Sequence, residues 1–286
     1  MKQVLVTGAN GALGRAVLLR LGKDSGYSVM AAGRQEATHA LELRDANFRS
    51  LIEETRPDWI LHLAATFSND FDEACEVNVE ATRRLLDAVV TLGAETRVVL
   101  IGSAAEYGPV RPEENPIRED HVLNPMSVYG LSKAWQTQLA HLYASRGVDV
   151  VVARLFNLDA PGLSERLFIG RVQKQIDEIL DGRRNELEVG PLTATRDYVH
   201  ADEAAEQLVS IAAHGQSGHV YHVASGRPVT MREVLRTMLA AKGLERTAVR
   251  ESMALSNRAG FDVPAIYADI SSTKQLLQQR TQIVAT

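Results

Sequence analysis

The sequence has 286 residues, 45% of them hydrophobic and 23% charged, ordinary figures for a globular chain long enough to bury a full α/β core. A formal net charge of -5 offers no basic field for gripping a phosphate backbone, so nucleic acid is excluded as a natural partner and any anionic ligand must be held by local Arg, Lys and helix N-termini. The single cysteine, Cys75, excludes an internal disulfide and a multi-thiolate metal site; the eight His residues show no metal-like clustering, and no metal is expected.

Residues 1–8 run straight into a strand pattern without the apolar core of a secretory signal. No stretch approaches the ~18 consecutive apolar residues of a membrane helix, so a cytoplasmic protein with no membrane partner is expected. Short apolar runs at 3–7, 28–32, 59–63 and 97–101 read as buried strands. Between them, residues 12–21, 46–54 and 76–92 space their apolar positions as on one helical face. A helix over 131–145 and a strand over 148–156 follow. Strand and helix in alternation predict a parallel, doubly wound sheet through residues 1–160. Beyond it come helices at 169–181, 201–214 and 230–242, the last with a Thr230 to Glu233 capping box, and a short strand at 221–224. With no linker or repeat, 161–286 should be a smaller lobe packed on the sheet, some segments of which return to it. The fold class is α/β, a Rossmann-type doubly wound parallel sheet with a smaller C-terminal α/β substrate lobe.

At the first strand-to-helix junction Thr7, Gly8, Gly11 and Gly14 spell T-G-x-x-G-x-x-G. Glycines there allow a tight turn, close approach of the backbone to a pyrophosphate and close packing of helix on strand, while the helix N-terminus supplies N–H donors. A dinucleotide site is expected, with Asn10, Ala12 and Leu13 inside its loop. The residue that tells NAD from NADP should follow the second strand, which reads Ala31, Ala32, Gly33, Arg34. An Arg stands there in place of a carboxylate. This points to NADPH, with NADH or bound NAD as the alternative should Glu36 take the ribose instead.

Tyr129 and Lys133 lie four apart, which on the helix implied by 131–145 puts both on one face about 5 to 6 Å apart at Cβ. A phenol with a pKa near 10 is a poor acid or base at neutral pH, and a nearby ammonium is expected to lower it. Ser103 follows the fourth strand, at the carboxyl edge where α/β ligands bind, and can hydrogen-bond the same reacting oxygen.

These residues together resemble the extended short-chain dehydrogenase/reductase family, the nucleotide-sugar epimerases, dehydratases and reductases, over essentially the whole chain. The glycine triplet matches its T-G-x-x-G-x-x-G, residues 62–65 its H-L-A-A, residues 78–82 its N-V-x-x-T, and residues 129–133 its Y-x-x-x-K. The resemblance implies a triad of Ser103, Tyr129 and Lys133. It implies a cofactor site that also takes in Leu43, Leu63, Ala64, Ala65, Asn78 and Phe156, and a homodimer formed through the helices over 76–92 and 131–145. Several stretches look most like the branch that reduces GDP-linked 4-keto-6-deoxy sugars. In the dehydratase branch two acidic residues follow the catalytic Ser or Thr; here Ala104 and Ala105 stand in those places, and neither can move a proton. Glu106 comes one place late and reads as a surface residue or a site residue about equally. The resemblance further implies a nucleoside diphosphate sugar held by Ala104, Asn157 and two arginines, Arg196 and Arg258, the alternative for each Arg being a surface ion pair, with Asp197 an obvious partner. His62 and His200 read as packing and capping residues. A retained-NAD 4-epimerase and an NADP-sensing regulator are the competing readings, and the intact Tyr129 to Lys133 pair speaks against the regulator.

Overall fold

In a computed structural model the chain is described over residues 1–34, 37–255 and 263–284, so that Glu36, Arg258 and Asp262 lie outside the described residues. In chain order the first part gives β1 (Lys2–Thr7), α1 (Ala12–Gly22), β2 (Tyr27–Gly33), β3 (His39–Ala40), α2 (Phe48–Thr55), β4 (Trp59–His62), α3 (Phe71–Ala74), α4 (Ala81–Leu92), β5 (Arg97–Ser103), α5 (Val128–Ala144) and β6 (Val150–Leu155). The rest gives β7 (Asn157–Asp159), α6 (Phe168–Leu180), β8 (Glu186–Val189), β9 (Thr195–His200), α7 (Ala201–His214), β10 (Val220–Val223), β11 (Pro228–Thr230), α8 (Met231–Ala240), β12 (Ala248–Glu251), β13 (Ala265–Ile266) and α9 (Ser271–Val284).

Seven strands form one parallel sheet in the order β10-β6-β5-β4-β1-β2-β3. Alternation along each strand divides the core. Val4, Val6, Leu61, Val99, Ile101, Val151 and Ala153 meet α1 and α7 on one face, whereas Leu5, Ile60, Val98, Leu100, Val150 and Val152 meet α2, α4 and α5 on the other. The sheet does not end at residue 160. β10 joins its edge beside β6, and α7 packs on α1, so the chain beyond 160 completes the central layers before and after building the lobe. The lobe has its own apolar centre of Val172, Ile176, Leu187, Val189, Leu235 and Leu239. Its short strands β8, β11, β12 and β13 carry too few residues each to show a period, which is why the sequence pattern there looks irregular. Thr230 caps α8 with the reciprocal Glu233 bond expected of it. Among the described residues no helix is long and apolar enough to cross a membrane.

Two helices start earlier than their periodicity suggests. Ser127 caps α5 by accepting from the Gly130 amide at 3.0 Å, so the helix opens at Val128 and Tyr129 sits in its first turn. The helix expected from residue 76 opens at α3, where Asp70 accepts from the Glu73 amide at 2.9 Å. It reaches α4 through a π-helical segment, Cys75–Glu80, from which Asn78 is buried.

Asp197 corrects a sequence reading. It is no surface partner for a cation but fully buried. One oxygen accepts from the Ser225 amide at 2.8 Å and its hydroxyl at 2.7 Å, and the other from the amides of Gly226 at 2.9 Å and Ala268 at 3.2 Å. This carboxylate ties β9 to the turn after β10 and to the segment before α9. Asp197→Ala strands those buried donors and should lower unfolding stability by about 2–4 kcal/mol, seen as a reduced urea midpoint, with Asp197→Asn losing less.

Candidate active site

The site forms where the strands of the sheet end. Gly8 turns out of β1 at φ +69°, and a Cβ there would meet the Ala64 nitrogen at 2.7 Å. A Cβ on Gly14 would lie 2.2 Å from the Gly8 carbonyl oxygen, so only glycine lets α1 seat this closely. Gly11 caps α1 without a side-chain bond, which leaves first-turn amides, from Ala12 and Leu13 onward, for an anion. The Thr7 hydroxyl bridges the His62 Nδ1 at 2.9 Å and the Ala64 amide at 3.3 Å, holding Leu63, Ala64 and Ala65 beside the glycine turn. His62 is buried and its pKa falls to about 3 through burial and the nearby Lys133 charge, so it is a neutral packing residue. Arg34 is exposed at the end of β2, next to Gly33, where a Cβ would press on the Asn10 side chain at 2.3 Å. Leu43 is buried among α2 and α4 residues, and its carbonyl accepts from Arg84. These residues fit a dinucleotide: a side-chain-free turn, a helix N-terminus without a cap, and a guanidinium at the ribose end.

Ser103 ends β5 and caps a 3-10 turn, its Oγ accepting from the Ala105 amide at 3.2 Å. Tyr129 is half-buried, with its phenol near Ser103. Burial pushes its pKa up to about 12, with the Ser103 hydroxyl opposing the rise and Glu106 adding to it. Lys133 does not lower it, contrary to the sequence expectation. The Lys133 ammonium, buried, donates instead to the Gln136 side-chain oxygen, and burial brings its pKa down to about 8 against an upward pull from Glu106. Gln136 in turn donates to Thr82 at 2.7 Å, and Thr82 to the Asn78 carbonyl at 2.8 Å. The Asn78 amide is committed to protein: its oxygen accepts from Thr66 N–H at 2.9 Å, and its nitrogen donates to the Thr66 carbonyl at 3.0 Å and the Ser132 hydroxyl at 2.9 Å. Asn78 thereby clamps the loop after β4 onto the helix that carries Tyr129.

On the far side, Asn157 is half-buried and donates to the Asp197 carbonyl at 2.9 Å, while Phe156 packs edge-on against His222 with ring centres 5.1 Å apart. Arg196 is buried rather than on the surface, and one guanidinium nitrogen donates to the carbonyls of Thr195 at 2.8 Å and Val263 at 2.7 Å. Ala104 and Ala105 are half-buried and bring no titratable group beside Ser103.

Sequence reasoning left Glu106 open and missed Arg154 and Phe67. Glu106 is not a surface group. It is fully buried and paired with Arg154 at 2.8 Å, and Arg154 is itself buried in β6. A cation inside an otherwise apolar strand demands a partner, and that was a usable signal. Phe67 leaves no trace in periodicity: its ring lies 5.1 Å from that of Tyr129 and is 47% exposed.

A family model described as "NAD dependent epimerase/dehydratase family" matches residues 4–224. GDP-6-deoxy-D-mannose reductase of Pseudomonas aeruginosa is 29% identical over 202 residues, 68% of this chain and 66%, just under two-thirds, of that enzyme. UDP-glucose 4-epimerase of Mycolicibacterium smegmatis is 28% identical over 262 residues, 84% of this chain and 83% of that one. Among solved structures, RMD from Pseudomonas aeruginosa complexed with NADPH superposes with a TM-score of 0.84 at 23% identity, covering 97% of this chain and 91% of that one, and shows the same fold. The chain belongs to the NAD dependent epimerase/dehydratase family, within the extended short-chain dehydrogenase/reductases, whose members are NAD(P)-dependent enzymes of nucleotide-linked sugars.

Proposed function

We propose that this protein is an NADPH-dependent reductase of a nucleoside diphosphate-linked 4-keto-6-deoxyhexose. The observation that carries the reading is the Tyr129 phenol, kept protonated by burial and near Ser103, with Ala104 and Ala105 where a dehydratase would need acids. NADPH, once bound, supplies the hydride. Tyr129 donates its proton to the C4 oxygen, Ser103 orients that oxygen, and Lys133 contributes positive charge from beneath. Arg196, beside the segment at Val263, and Arg258 hold the diphosphate, and Asn157 meets the sugar. Similarity to a 4-epimerase over most of the chain supports a second reading, in which the same Tyr129 serves a retained NAD. Protein that is isolated with tightly bound NAD and interconverts 4-hydroxy epimers without added NADPH would establish that reading and overturn the first. The exposed Phe71, Trp135 and Leu142 on α3 and α5, with Phe71 and Trp135 edge-to-face at 6.0 Å, support a homodimer through these helices.

Assay against GDP- and TDP-linked 4-keto-6-deoxy sugars should show reduction with NADPH, and incubation with GDP-mannose or TDP-glucose should give no 4-keto product by mass spectrometry. Tyr129→Phe should abolish turnover while leaving NADPH affinity intact. Because the Lys133 ammonium is lost as pH rises through about 8 and the Tyr129 proton only near 12, kcat/KM of the wild type should fall from about pH 8 upward, well before the phenol ionises.

Cofactor choice gives a separate measurement. A guanidinium forms charge-assisted bonds to the 2′-phosphate, so NADPH should bind at least about tenfold tighter than NADH, a difference needing some 1.4 kcal/mol. Arg34→Ala should remove most of that preference by weakening NADPH alone, as read from dissociation constants of both cofactors. Equal weakening of both would instead assign Arg34 a structural role.

A further inference from the structure

We propose that Glu106 is a positioning residue for the proton-transfer pair, its carboxylate holding Ser103 and the face of α5 that bears Tyr129 and Lys133 in fixed relation. The geometry is a three-way junction. Oε1 accepts from the Ser103 amide at 2.7 Å, at the end of β5. Oε2 accepts from the Thr137 hydroxyl of α5 at 2.7 Å and from Arg154 of β6, through Nη2 at 2.8 Å and Nε at 3.1 Å. Thr137 stands one turn after Lys133 and two after Tyr129, so all three share one stripe of the helix. A bond at Thr137 therefore fixes both the rotation of α5 and its slide along its axis relative to Ser103. Room for the carboxylate is made by Gly102, where a Cβ would lie 2.8 Å from Oε1.

Arg154 pairs with Glu106 and is itself held in place. It donates to the Tyr107 hydroxyl at 2.6 Å and lies over that ring, 4.6 Å from its centre. Tyr107 reaches His222 Nε2 at 2.5 Å, and His222 Nδ1 must donate to the Asp269 carbonyl at 2.8 Å, which fixes its tautomer with Nε2 as acceptor. Burial leaves His222 neutral, its pKa brought down to about 4, and Tyr107 protonated, pushed up to about 12. The charged and titratable groups around the carboxylate are thus Arg154 of β6, Tyr129, Lys133 and His141 of α5, Tyr107 beside it, and Glu119 and His222 behind. Charge also reaches the site: the carboxylate holds protons on Tyr129 and Lys133 more firmly, both in the same direction. Because neither oxygen is free to face the sugar, Glu106 works through Ser103, Thr137 and its charge and not as an acid.

The inference rests on Tyr129 being the proton donor. Its test uses Glu106→Gln, Thr137→Val and Thr137→Ser in the full chain. Glu106→Gln should leave the NADPH dissociation constant and the KM for sugar little changed, lower kcat by about tenfold to a hundredfold, and move the alkaline limb of kcat/KM down by about one pH unit. Thr137→Val should lose kcat about threefold to tenfold, and Thr137→Ser, which keeps the hydroxyl, should restore it. A residue that only supported the fold would lower the melting temperature and leave the pH limb where it was. Phenol ionisation, followed by near-ultraviolet difference absorbance against each protein's Tyr129→Phe counterpart, needs no sugar and should begin about one pH unit earlier in Glu106→Gln. If no 4-keto sugar is turned over but that ionisation shifts, the substrate reading fails and the role of Glu106 stands. A folded Glu106→Gln with wild-type kcat, limb and phenol titration overturns the proposal. If the loss of one charge unfolds the chain, the Thr137 pair decides, and wild-type kcat in Thr137→Val overturns it equally.

Discussion

Close approach of backbone to backbone at the first strand-to-helix turn is the constraint on which the rest of the site hangs. With Gly14 against the Gly8 carbonyl and Gly8 against the Leu63 to Ala64 peptide, β1, α1 and the loop after β4 meet with no side chain between them. The amide end of α1 is then left without a side-chain cap, open to an anionic group. The Thr7 hydroxyl bridges the end of β1 to His62 and to Ala64 in the loop after β4, so packing and polar contacts specify one arrangement. Everything further along the edge is placed relative to this turn through the register of the parallel strands.

The helix that bears Tyr129 and Lys133 is located differently. Apolar packing places α5 on the sheet, but a smooth apolar contact tolerates small slides and rotations, and proton transfer does not. Polar links supply the missing precision. Asn78 joins the Thr66 loop to Ser132, Gln136 joins Lys133 to Thr82, and Thr137 joins the Glu106 carboxylate, so α5 is pinned along its length by groups from α4, the β4 loop and the turn after β5. Each of these side chains is buried and would be costly to leave without a partner. The π-helical segment before α4 belongs to the same scheme, since it is the stretch from which Asn78 reaches both Thr66 and Ser132.

Much of this was legible in the chain because two periods carry it. The strands around 3–7, 28–32, 59–63 and 97–101 announce themselves as apolar runs, and the i, i+4 spacing of Tyr129 and Lys133 holds in α5. Long-range polar pairing has no period. Glu106 and Arg154 are 48 residues apart, and only folding shows that their charges meet. Asp197 likewise spends its carboxylate on backbone amides, which no side-chain pattern encodes. The direction of Lys133 was misjudged because i, i+4 neighbours share a face without having to touch; Gln136, one turn on, offered a closer acceptor in the buried interior.

The same distribution of roles explains how one scaffold serves reduction, epimerisation and dehydration in related proteins. Under the proposed function the glycine turn holds the cofactor while Ser103, Tyr129 and the Lys133 to Thr82 chain serve one oxygen. Other groups stand at the rim: Ala104 and Ala105 after Ser103, the Phe67 ring against that of Tyr129, and Arg34 at the end of β2. None of these rim groups bears on the packing that sets the proton-transfer geometry. Ala104, Ala105, Phe67 and Arg34 are all half-buried or exposed, while Glu106, Asn78, Gln136 and Thr137 are buried and fully bonded. A chain of this kind can exchange one chemistry for another by substitutions that leave its core untouched, and for that reason the reaction has to be read from the rim and the mechanism from the interior.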